Sequence, residues 1–154
     1  REAVIDGIVH QRKFYFTSLK YNEELEDILN DTIFKRFKKI SLKNLMEGKG
    51  LGLYKYEIGQ GYDRHVESRK GIPLDNPDQY NEVFEVALNN IGTTQIYDDW
   101  RVNDRITSST NDARTGQMLN YKTWQHVSYN KVTEGTRYQL LLFTRNKDYK
   151  NFLI

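Results

Sequence analysis

The stretch from Arg137 to Arg145 constrains the fold most. Leu140, Leu141, Leu142 and Phe143 follow one another without a polar break. A short, continuous apolar run reads as a strand buried on both faces, because a half-exposed strand would alternate. Tyr121 to Tyr129 alternates around Trp124 and His126 and reads as a second strand, with Lys131 to Thr136 as a Gly-containing turn between the two. Apolar residues are only 38% of the 154, so the core is modest, and with 11 Tyr the aromatic share of 13% must supply much of the burial. The length fits one domain.

The N-terminal third reads differently. Ala3 to Val9 and Lys13 to Leu19 are extended candidates. Asn22 is placed to cap a helix, with Glu23 and Glu24 opposing its dipole in the first turn. Leu25, Ile28, Leu29, Ile33, Phe37 and Ile40 recur at helical spacing. Lys35, Arg36, Lys38 and Lys39 gather at the far end, where cations suit the dipole, and Ser41 can cap a further short helix through Met46. The spacing therefore predicts a helical element over residues 1–50 and a mainly β part over 51–154. Leu53 to Ile58 reads as a strand, and Gly59 to Gly71, which holds His65, as an exposed loop. Residues 76–91 fit a helix capped at Asn76 with Pro77 at its first position, although Phe84, Val86 and Leu88 also alternate.

Tyr97 to Gln117 has no apolar period at all. It interleaves Tyr97 and Trp100 with Arg, acids, amides and hydroxyls, as the rim of a binding site does. A ring to stack on a base, amides and acids for base edges, and Arg, hydroxyls and backbone N–H groups for phosphate are the requirements of nucleic-acid recognition. Tyr97, Asp98, Asp99, Trp100, Asn103 and Gln117 suit the base. Arg105, Thr107, Ser108, Arg114, Thr115 and Gly116 suit the backbone. Net charge is only +2, but residues 101–154 carry nine basic and four acidic side chains.

Other chemistry has less support. His10, His65 and His126 are far apart in sequence and none sits in H-E-x-x-H, so they read as structural or solvated and no metal or cofactor is expected. G-K-G-L-G at Gly48 to Gly52 is neither a phosphate loop nor a dinucleotide fingerprint. Asp98, Asp99 and Asp104, with Asp112, could hold Mg²⁺ for a nuclease. A protein-docking module that uses the aromatics is the other alternative. No apolar run spans a membrane and no Cys is present, which fits a cytoplasmic protein. The chain opens on Arg1, as a fragment of a longer protein would.

The order T-T-x-x-Y-x-D-W (Thr93 to Trp100), N-x-R-x-T-S (Asn103 to Ser108), T-G-Q (Thr115 to Gln117), L-L-L-F-T-R (Leu140 to Arg145) and Y-x-x-F-L (Tyr149 to Leu153) resembles the C-terminal domain of unknown function appended to bacterial superfamily II helicases. The same domain is similar to one in SauUSI-type modification-dependent restriction enzymes. The resemblance turns Val86 to Asn89 from helix to strand. It implies a specificity domain with no active site of its own, which senses modified cytosine in double-stranded DNA beside helicase and nuclease domains of the same chain, in phage defence. Together these readings predict an α+β domain: a helical N-terminal element packed on a mixed or antiparallel β-barrel of the PUA or SRA type.

Overall fold

The computed structural model describes residues 2–5, 8–13, 15–18, 22–32, 43, 50–97 and 108–147. Eleven strands and one helix are assigned among them: β1 (Glu2–Ile5), β2 (Ile8–Lys13), β3 (Tyr15–Ser18), α1 (Glu23–Thr32), β4 (Leu51–Tyr56), β5 (Gly61–His65), β6 (Tyr80–Ala87), β7 (Thr93–Tyr97), β8 (Ser108–Asp112), β9 (Met118–Lys122), β10 (His126–Tyr129) and β11 (Arg137–Arg145). They form a six-stranded sheet in the order β1-β2-β5-β10-β7-β8 and a five-stranded sheet in the order β3-β4-β11-β6-β9. Every pairing between these strands is antiparallel.

The two sheets share one core. Tyr56, Val83, Tyr121, Leu141 and Phe143 come from the five-stranded sheet, and Tyr62, Ile96, Val127 and Tyr129 from the six-stranded one. Two antiparallel sheets with interdigitating inner faces and strands that alternate between them make a jelly-roll sandwich.

The expected α+β architecture is therefore corrected. The N-terminal third is not a helical element packed on a PUA- or SRA-like barrel. Its strands enter both sheets: β1 and β2 form a hairpin that extends the six-stranded sheet through β5, and β3 pairs with β4 in the other. Part of the expected helix is present among the described residues. Asn22 Oδ1 accepts from Leu25 N at 2.9 Å and caps α1, which runs ten residues. The rest of the expected helix, and the short one after Ser41, fall largely outside the described residues.

Two further differences have clear causes. Residues 76–91 hold no helix and contain strand β6, Tyr80–Ala87, because Asn76 Oδ1 accepts from Asp78 N at 2.9 Å in a turn instead of capping a helix. The buried Gln79 then ties that turn down, donating to the Arg69 and Ile72 carbonyls and accepting from Arg69 N. Gly59 to Gly71 is not all loop, since it contains β5. Gly61 there lies so close to β10 that a Cβ would stand 2.7 Å from the Tyr129 carbonyl oxygen, which glycine alone allows. Tyr121 to Tyr129 is two strands in different sheets, separated where Trp124 turns out to solvent. Among the described residues no helix is long and apolar enough to cross a membrane.

Strand β11 is as expected. It lies between β4 and β6, with Leu142 facing Leu51 and Phe84 in register. Arg137, Gln139, Leu141 and Phe143 face the shared core, while Leu140 and Leu142 are equally buried on the opposite face. Leu142→Ala should lower the unfolding free energy by about 2–5 kcal/mol in a denaturant titration. A loss under about 1 kcal/mol would contradict burial on that face.

Candidate functional site

The inner face of the sandwich carries a chain of polar groups running from β5 to β11. His65 ends β5 and is fully buried. Its Nδ1 lies 2.7 Å from the Asp63 carbonyl oxygen. A carbonyl can only accept, so Nδ1 carries the proton and Nε2 is left to face Glu67 Oε1, with which it is in close contact. Tyr62 stacks on the imidazole at 3.5 Å between centroids, and Tyr129 meets it edge-on at 5.6 Å. Glu67 keeps 15% of its side chain exposed, against 0% for His65, so the pair is approachable from the Glu67 side.

From Glu67 the chain of contacts passes inward through two phenols. Tyr129 OH is 3.4 Å from Glu67 Oε1 and 2.7 Å from Tyr121 OH, and Tyr121 OH donates to Glu85 Oε1 at 3.2 Å. Burial holds both phenols far above their ordinary pKa, so each keeps its single hydrogen. With Tyr121 committed to Glu85, Tyr129 donates either to Tyr121 or to Glu67.

At the far end, Arg137 and Glu85 form a buried ion pair at 3.3 Å. Thr94 Oγ1 donates to Glu85 Oε2 at 2.6 Å and accepts from Arg137 Nη2 at 2.7 Å. Arg137 Nη1 donates to the Thr93 carbonyl at 3.2 Å. Burial pushes the Glu85 carboxyl up, and the Arg137 guanidinium opposes that shift.

Among the described residues no third protein ligand stands beside His65 and Glu67. The register partner of His65 on β10 is Val127. His126, one residue earlier, points to the other side of the strand, where its Nδ1 accepts from Arg64 Nε at 2.9 Å. Among the described residues no group of three or more His, Cys, Asp or Glu could hold a metal ion.

Those residues singled out from sequence that the structure describes lie elsewhere. Tyr97 ends β7 on the same outer side as His126, with the Arg64 guanidinium 4.2 Å above its ring. Ser108 opens β8. Thr115 donates from both N and Oγ1 to Asn90 Oδ1, Gly116 adopts φ 80° and donates to the Ala87 carbonyl, and the Gln117 carbonyl accepts from Ala87 N. Arg114 is exposed. These four make the turn that carries the chain from β8 to β9. Asp98, Asp99, Trp100, Asn103, Asp104, Arg105 and Thr107 lie outside the described residues.

Sequence reasoning missed His65, Glu67, Glu85 and Arg137. The signals were an H-x-E spacing, which on extended backbone puts both side chains on one face, and charged residues inside strands that are otherwise apolar.

No family model matches this chain, and no curated protein matches it. Solved structures do. An oxidoreductase of the 2OG-Fe(II) oxygenase family from Burkholderia pseudomallei aligns over 95% of this chain and 71% of its own, with TM-score 0.59 and 12% identity. The viral collagen prolyl hydroxylase vCPH from Paramecium Bursaria Chlorella virus-1, in its 2OG complex, aligns over 87% and 78%, with TM-score 0.53 and 12% identity. A prolyl-4-hydroxylase from Pseudomonas putida aligns over 86% and 67%, with TM-score 0.52 and 11% identity. The expectation of a DNA-binding, modified-cytosine-sensing restriction domain without an active site is corrected by this likeness: the barrel it assumed is absent, and the jelly roll in its place is one that enzymes of the oxygenase class share.

Proposed function

We propose that this chain is an oxygenase-type enzyme domain whose reaction centre is a divalent first-row metal held by His65 and Glu67. The observation that carries the reading is the convergence of His65 Nε2 and Glu67 Oε1, with Nδ1 already committed to the Asp63 carbonyl. Two acceptor lone pairs do not meet in a buried place without a cation between them, either a proton or a metal. A backbone carbonyl is the usual kind of partner that orients a metal-ligating imidazole. Mixed imidazole and carboxylate donors suit iron or manganese. The shared fold of the 2OG-Fe(II) oxygenases supports the same reading.

The donor set fits a metal held by two protein groups. Among the described residues it does not complete the triad of two His and one carboxylate, because Val127 stands at the position facing His65. When bound, the metal would supply the redox chemistry. The chain's own residues hold and orient. Tyr62 and Tyr129 fix the imidazole, Glu67 balances charge, and Arg137 is the buried cation that an acid co-substrate such as 2OG would need at the far end.

A Co²⁺ titration followed by visible absorption tests the reading. Wild-type protein should take up one ion per chain, and His65→Ala and Glu67→Ala should each lose it while circular dichroism shows them folded. No uptake by the wild type, or equal uptake by both variants, would end the metal reading.

A further inference from the structure

We propose that Trp124 and Arg69 form a docking platform beside Glu67 for an acidic polypeptide, which crosses this end of the sandwich as the substrate chain. The proposal deepens the oxygenase reading, and rests on it only for calling that chain a substrate.

The platform is built on one crossing of backbone. Residues 122–125 turn the chain from β9 in one sheet to β10 in the other. Gln125 N donates to the Lys122 carbonyl at 3.0 Å, and Lys122 N donates to Gln125 Oε1 at 2.8 Å, which closes the turn. Buried Thr123 ties it down. Its Oγ1 donates to the Tyr80 carbonyl at 2.6 Å and its N to the Asn81 carbonyl at 3.0 Å. Its own carbonyl accepts from Glu67 N at 3.1 Å and Ser68 N at 3.0 Å. Trp124 comes next in the chain and is 45% exposed. A large ring held in water by a rigid turn loses little freedom when a partner covers it, so it can carry much of a binding energy.

Arg69 leaves the other side of the same crossing, one residue after Ser68. Its backbone is clamped by the buried Gln79 amide, which accepts from Arg69 N and donates to the Arg69 carbonyl. Its guanidinium lies 4.3 Å over the Tyr80 ring, and Nη2 donates to Tyr80 OH at 2.8 Å. The stack holds the planar fork in place. Arg69 is exposed and makes no ion pair among the described residues, and Lys70 beside it is exposed as well. A pre-ordered guanidinium without a counter-ion suits a carboxylate, and the two cations together set the sign of the partner.

The occupant is a chain and not a small acid. Two exposed groups cover too little of a small molecule to hold it. A polypeptide can lay an apolar side chain on the indole and an acidic one on Arg69 at once. It then passes Glu67, the approachable member of the His65–Glu67 pair.

The test uses the wild-type protein without added metal, and capped peptides of alternating glutamate and leucine or of lysine and leucine. The glutamate peptide should move tryptophan emission to the blue in a saturable way, and Trp124→Phe should lose that shift. Arg69→Gln, shown folded by circular dichroism, should weaken binding about ten-fold, and added salt should weaken it in the wild type. The proposal falls if the glutamate peptide gives no shift, if the shift survives in Trp124→Phe, or if Arg69→Gln binds as well as the wild type. It falls equally if the lysine peptide, or free glutamate and leucine, give the same response. Should Arg69→Gln not fold, salt decides in its place, and an affinity that salt does not lower overturns the proposal. Co²⁺ uptake at His65 and Glu67 is read separately, so either reading can fall while the other stands.

Discussion

Arg137→Met should lower the unfolding free energy by about 3–5 kcal/mol, measured by denaturant titration at neutral pH. Methionine fills much of the same space, so the loss is electrostatic and not a cavity effect. It arises because Glu85, 3% exposed, is left as a buried carboxylate without its counter-ion. Replacing both partners removes the problem, so Arg137→Met with Glu85→Gln should recover most of the loss. The pH dependence has a definite sign. Burial already raises the Glu85 carboxyl, and Arg137 opposes the rise most, ahead of the hydrogen bonds from Thr94 and Tyr121. Without Arg137 the folded state takes up a proton on Glu85 well above the range in which the unfolded chain does. Stability therefore falls as pH rises through that window, and the Arg137→Met protein should be least stable at neutral pH and regain stability on mild acidification. A loss under about 1 kcal/mol, or one that deepens as pH falls, would show that the pair is not buried as described.

How much of this was legible in the sequence depends on whether the signal was local. Strand β11 was, because four consecutive apolar residues can only be satisfied by cover on both faces. The cap at Asn22 was, because an N-cap is decided within one turn. The sandwich was not, because the pairing of β2 with β5, or β3 with β4, joins segments some forty to fifty residues apart in sequence, and periodicity within a segment says nothing about its partner. Asn76 shows the ambiguity at its smallest, since the same Asx side chain closes a turn or starts a helix, and only the buried Gln79 beside it decides. The site was hidden for a related reason. His65 sits in a polar, glycine-flanked stretch whose composition reads as loop, and its burial comes from Tyr62 on its own strand and Tyr129 on the neighbouring β10. Glu85 and Arg137 are 52 residues apart, so the charge pair that defines the far end exists only once β6 and β11 lie side by side. The polar run after Tyr97 drew attention because it was dense in chemistry, whereas the buried groups were dispersed singly among apolar neighbours.

The same dispersal makes Gly92, a residue with no side chain, one of the more sensitive positions for the site. It lies in the turn between β6 and β7 with φ of 96°, a conformation that side chains other than glycine adopt only under strain. A Cβ added there would stand 2.4 Å from Arg137 Cδ. The guanidinium cannot swing away, because Nη1 is held by the Thr93 carbonyl and Nη2 by Thr94 and Glu85. Gly92→Ala should therefore combine about 1–3 kcal/mol of backbone strain with about 1–3 kcal/mol of overpacking. The two parts separate in a double-mutant cycle. In an Arg137→Ala background the clash is gone and only the strain remains, so the cost of Gly92→Ala should drop by the overpacking share of about 1–3 kcal/mol. If the two substitutions are instead additive to within about 0.5 kcal/mol, Gly92 does not set the position of Arg137, and the close approach of the β6–β7 turn to β11 is not what fixes the carboxylate end of the site.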